Sequence, residues 1–120
     1  MSDTQGGMNV KNVLQQTDNL VDAIESSSEY AQYQMLQNTI EKDEGIYHRL
    51  NEFRRRNFEI QMNPQADPID GSAHLYQEYA DVLNRPEVKE FLAAEQRYVK
   101  MLRKVNKKLD EHFKVNIDFL

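Results

Sequence analysis

Residues 86–114, PEVKEFLAAEQRYVKMLRKVNKKLDEHFK, carry the clearest structural signal in the chain. At about 100° per residue, Val88, Phe91, Leu92, Tyr98, Val99, Leu102, Val105, Leu109 and Phe113 fall on one arc, the pattern of a long amphipathic helix. Glu95 and Asn106 lie near the middle of that arc. Residues 28–62 have the same period, with Tyr33, Leu36, Ile40, Tyr47, Leu50, Phe58 and Met62 on one arc and Asp43 and Arg54 inside it. The polar residues of each pair are eleven positions apart, which is about 16 Å of helix, so neither pair can bond within its own helix. Laid antiparallel, one register brings Arg54 to Glu95 and Asp43 to Asn106. It also sets Phe58 opposite Phe91, Leu50 opposite Val99, Tyr47 opposite Leu102, Ile40 opposite Leu109 and Leu36 opposite Phe113. The expectation is an all-α fold built on an antiparallel hairpin of these two helices, made within one chain or between two. Asp43, Arg54, Glu95 and Asn106 then form a buried polar seam that fixes register.

Outward from the hairpin, the chain is punctuated sparsely. Residues 1–8 read as a disordered tail, and a short first helix follows Asn9. Val10, Val13, Leu14, Thr17, Leu20, Val21 and Ile24 give it a helical stripe. Ser26–Ser28 end that helix and offer caps for the next, the long helix 28–62, which absorbs Gly45 in its interior. Asn63-Pro64 stops it, and residues 63–71 (NPQADPIDG) read as the one real loop. A short third helix follows Ser72, with Leu75, Tyr79, Val82 and Leu83 on one face. Arg85-Pro86 interrupts it, since the residue before proline is pushed out of the α region. Asn84 and Glu87 are spaced like a capping box at the start of the last helix. A single helical domain over 9–114 and a tail over 115–120 complete the layout. In the hairpin register, segment 64–85 overhangs the end of the helix pair. Its apolar face must then fold back or dock on another subunit, which makes Leu75, Tyr79, Val82 and Leu83 candidate oligomer contacts.

Composition bounds the function classes. The chain has 120 residues, no cysteine and four glycines. That excludes disulfides, thiolate chemistry, Cys-ligated metals, a P-loop and a dinucleotide fingerprint. Mean hydropathy is −0.82, no apolar run approaches a membrane span, and the N-terminus lacks signal-peptide regions. A soluble, cytoplasmic protein is expected. His48, His74 and His112 are the only histidines, and none has Glu three residues earlier, so di-iron bundle ligands are absent. No catalytic, cofactor-binding or metal site is expected. The net charge of −5 argues against a dedicated nucleic-acid binder. It is unevenly spread: residues 1–48 carry two basic and eight acidic side chains, residues 49–120 thirteen and twelve. Arg97, Lys100, Arg103, Lys104, Lys107 and Lys108 lie away from the apolar arc of the last helix. They form a candidate docking face for an acidic partner, either RNA or the acidic first helix of another subunit. Arg54–Arg56 is a second basic cluster.

Leu20-x-x-Ala23, Ser27–Tyr30, Asp43-Glu44, Phe53-Arg54, Glu90–Arg97 (EFLAAEQR) and Asn106-Lys107 together resemble the YlbF/YmcA family of control-of-competence regulators. The likeness runs over about residues 10–110 and is best to the cysteine-free, YheA-like branch. It implies an all-α fold, oligomerisation as a homodimer or higher assembly, and no catalytic activity. Better-known members resemble regulatory adaptors that act through the endonuclease RNase Y on mRNA processing, and so on competence, sporulation and biofilm formation. The resemblance therefore implies a protein partner from the mRNA-decay machinery. Those members carry C-terminal cysteines associated with an iron–sulfur cluster, whereas this chain ends in VNIDFL, so no cluster is carried over. The functional expectation is a regulatory interaction protein, with an RNA-associated protein using the basic helix face as the alternative.

Overall fold

The computed structural model describes residues 2–113, with side chains from Asn9 onward. Six helices, α1 (Ser2–Glu25), α2 (Ser28–Glu41), α3 (Glu44–Met62), α4 (Pro68–Glu78), α5 (Ala80–Leu83) and α6 (Pro86–His112), make an all-α fold with no strand among the described residues. α1 begins at Ser2, so positions 2–8, expected as a tail, continue its helix. The expected tail 115–120 lies outside the described residues.

The expected long helix 28–62 is two helices. Asp43 takes an extended backbone conformation, and its carboxylate accepts the Ile46 N–H at 3.2 Å, which makes it the N-cap of α3. Glu44 sits in the first turn beside the positive end of the helix dipole. A new cap starts a new axis, so α3 departs from the line of α2. α2 packs along α6, and among the described residues the α3 and α6 backbones do not meet. Tyr33 stacks on Phe91 and Tyr98, with ring centroids at 5.7 and 4.9 Å, and Tyr30 meets Tyr98 edge-on at 5.6 Å. The hairpin is therefore α2 against α6. Phe91 faces Tyr33 rather than Phe58, and Phe58 is exposed.

Segment 64–85 does not overhang. Asp67 caps α4 by accepting the Ile69 and Asp70 N–H groups, with Pro68 in the first turn where its missing N–H costs nothing. The expected nine-residue loop thus shortens to Asn63–Asp67. α4 folds back across α3, and a Cβ at Gly71 would lie 3.0 Å from Ile60 Cγ2, which shows how closely the two helices approach. Leu75, Tyr79, Val82 and Leu83 are buried in the chain's own core with Ile40, Ile46, Leu50, Phe53, Val88 and Phe91. They are spent on that core and are not free as oligomer contacts. The capping box at Asn84 does not form either. Arg85 is the N-cap residue of α6 without a side-chain cap bond, and Glu87 pairs instead with Arg85 at 2.8 Å.

Candidate interaction site

The polar seam divides. Arg54 of α3 reaches Glu95 of α6 as an ion pair, and its guanidinium lies 5.2 Å from the Phe91 ring centroid. Long side chains thus bridge two helices whose backbones do not pack. The pair is half-buried, at 36% and 26% side-chain exposure, so it retains solvent contact. Burial first, then the Glu95 carboxylate, raises the Tyr33 hydroxyl above the usual tyrosine range. The second pairing does not exist. Asp43 is spent on its cap, and Asn106 is exposed near the far end of α6 with no side-chain hydrogen bond among the described residues. The reason is that α3 does not run along α6: Asp43 lines one cleft with Arg85 at the start of α6, whereas Asn106 lies near its other end.

The basic cluster Arg54–Arg56 also divides, because consecutive helical residues point about 100° apart. Arg54 takes Glu95, Arg55 takes Glu59 one turn along α3 at 3.5 Å, and Arg56 takes Glu78 at 2.6 Å. Arg56 also donates to the Tyr79 hydroxyl at 3.1 Å. Two turns earlier, Arg49 grips Asp81 through both carboxylate oxygens at 2.8 and 2.9 Å and donates to the Glu78 carbonyl at 2.8 Å. Its guanidinium lies 4.5 Å from the Tyr79 ring centroid. Arg49 and Arg56 therefore clamp the α4–α5 junction onto α3 from either side of Tyr79. Hydrogen bonds from these arginines hold the Glu78 and Asp81 carboxyls below the usual carboxylate range. The readable signal for this clamp was two arginines seven residues apart, set against Glu78-Tyr79-Ala80-Asp81.

The six cations of α6 expected as a docking face lie at the surface. Arg97, Lys100, Arg103, Lys104, Lys107 and Lys108 are all exposed. Arg97 donates to Gln32 at 3.3 Å and Lys107 lies 3.9 Å from Glu111; the others form no ion pair among the described residues. Beside these cations the apolar stripe of α6 continues past the start of α2, and Leu109 and Phe113 are exposed. α1 has an exposed stripe too, with Val10, Val13, Leu14, Leu20 and Val21 all in solvent.

Among the described residues, no three His, Asp or Glu side chains cluster so as to hold a metal ion, and no helix is long and apolar enough to cross a membrane. Among the described residues no buried side-chain polar atom lacks a partner. The cavities are shallow surface clefts; one of about 350 Å³ lies between α3, α4 and α6, beside Phe58, Tyr76 and Leu92. Such surfaces suit contact with another macromolecule better than enclosure of a small substrate.

Residues 13–113 match the family described as control of competence regulator ComK, YlbF/YmcA. A UPF0342 protein of Caldicellulosiruptor bescii is 25% identical over 101 residues, covering 82% of this chain and 85% of its own length. No solved structure matches.

Proposed function

The chain belongs to the YlbF/YmcA family of control-of-competence regulators, and on that premise we propose that it is a non-enzymatic regulatory adaptor. It is a cytoplasmic protein that self-associates and works by binding other proteins, a component of the mRNA-decay machinery among them. The family match over residues 13–113 carries this reading. The chemistry of the surface supports it. The arginines and carboxylates of the two cross-helix clusters are committed to holding helices together, and large apolar side chains stand in solvent on α1, on the far end of α3 and on α6. Contiguous exposed apolar surface on a soluble domain marks interaction sites.

The alternative, an RNA-associated protein, draws on the row of exposed cations on α6. Capture of partners by the tagged full chain from native lysate, with and without nuclease, separates the two readings. Protein partners retained after nuclease bear out the adaptor. Partners lost on nuclease treatment, together with RNA affinity that falls steeply with salt, replace it with the RNA reading.

A further inference from the structure

Two apolar stripes lack a partner over most of their length among the described residues, and they fit each other. On α1, Val10, Leu14, Thr17, Val21 and Ile24 alternate at spacings of four and three, the repeat of a coiled-coil seam. On α6, Val99, Leu102, Asn106, Leu109 and Phe113 alternate at three and four. Both stripes run over fifteen residues, about 21 Å from first to last, and both are mostly in solvent: Leu14 is 58% exposed and Phe113 73%. We propose that the α1 stripe of one copy docks antiparallel on the α6 stripe of a second copy, so that a two-fold dimer closes both seams at once.

Antiparallel alignment places Val10 opposite Phe113, Leu14 opposite Leu109, Val21 opposite Leu102 and Ile24 opposite Val99. The one polar residue of each stripe falls in the same layer, Thr17 opposite Asn106. Asn106, which has no side-chain hydrogen bond among the described residues, thereby gains a partner. A parallel alignment either keeps Thr17 opposite Asn106 and puts Leu14 and Val21 one residue out of step with Leu102 and Leu109, or matches the spacings over four layers and sets Thr17 against Leu102 and Asn106 against Val21. Charge agrees with the antiparallel choice. Asp18, Asp22 and Glu25 of α1 fall along the span that carries Arg97 to Lys108, and Lys11 falls beside Asp110 and Glu111.

The second copy, rather than the chain's own α6, follows from the tether. α1 leaves α2 through Ser26-Ser27, and α2 is fixed on α6 with Tyr30 at the level of Tyr98. Ile24, six residues earlier, would then reach about 9 Å further along its own α6, near Lys104 and not Val99. Among the described residues α1 packs only on α2. A two-fold interface is free of that offset, and each copy supplies both halves.

This seam rests on the self-association proposed above, and the test keeps the two apart. The chain has no cysteine, so introduced thiols are unambiguous. Full-length Leu14→Cys and Leu109→Cys proteins are mixed and treated with a short bifunctional maleimide, while sedimentation of the unaltered protein reports its mass. The expected result is a dimer in sedimentation, with covalent dimer formed in the mixture and from neither variant alone. A mixture of Leu20→Cys with Leu109→Cys, six residues or about 9 Å out of register, should stay unlinked. A dimer that gives no link, or that links equally in the shifted pair, overturns the seam and leaves self-association standing. Linkage inside one chain of the Leu14→Cys/Leu109→Cys double variant also overturns the seam, and a monomer in sedimentation overturns both.

Discussion

The Arg54–Glu95 pair bridges α3 and α6 even though the backbones of those helices do not touch. It was legible in the sequence because both residues interrupt apolar arcs, and an interruption in a seam asks for a complementary interruption opposite. Asp43 and Asn106 satisfied the same arithmetic and failed. Spacing along one arc cannot reveal that an aspartate will take the Ile46 N–H and end the helix instead. At about a third exposure, Arg54–Glu95 lies between a surface pair and a buried one. Arg54→Met should cost about 1 kcal/mol, and Glu95→Leu added to it should recover part of that loss. Coupling of about 0.5 kcal/mol or more in a urea double-mutant cycle is the expected outcome. Strict additivity of the two changes would mean that the contact contributes nothing.

Helix ends were the least legible elements, and two caps explain most of the difference. Lys42-Asp43-Glu44-Gly45 reads as helix interior if only periodicity is weighed. Asp43 before an acidic first turn, with a poor helix former two residues on, is also a start signal. Asp67-Pro68 likewise begins α4 inside what composition marks as loop. Once α3 has its own axis, the segment expected to overhang can fold back on it, which brings Leu75, Tyr79, Val82 and Leu83 inside. Asp43→Ala should therefore cost about 1 kcal/mol of urea stability, while Asp43→Asn, which keeps an accepting oxygen, should cost a few tenths.

The clamp on the α4–α5 junction has a pH signature. Glu78 and Asp81 have folded pKa values held below the ordinary range by Arg56 and Arg49, and Glu87 is lowered by its own backbone N–H and Arg85. The unfolded chain binds more protons than the folded one in that window, so stability rises with pH there. The contribution is complete above the ordinary carboxylate range, about pH 4, and is lost as pH falls through the depressed folded values. Urea midpoints measured downward from pH 6 should show the loss beginning near that value. Arg49→Gln/Arg56→Gln should lower the plateau and flatten the acid slope, because the carboxyls then titrate near their unfolded values.

At the scale of the whole molecule, shape is the informative quantity. The Cα radius of gyration is 20.1 Å, with extents of 64 × 37 × 21 Å. A compact chain of this length would have a radius near 14 Å. The core gathers α2 to α5 and the first half of α6, and leaves α1 and the end of α6 outside it. The sequence displayed both stripes plainly but not their separation, since the turn at Ser26-Ser27 sets where α1 goes and periodicity is blind to direction. Stability then has a part internal to one chain and a part that exists only in an assembly, and only the second obeys mass action. The melting temperature should accordingly rise with protein concentration, by about 3 °C for each tenfold increase. Val21→Asp puts a charge into the exposed α1 stripe, at a residue outside the core cluster. It should abolish the concentration dependence and leave one concentration-independent transition, the unfolding of the core. A melting temperature that is flat with concentration in the unaltered protein would mean that α1 adds nothing through association.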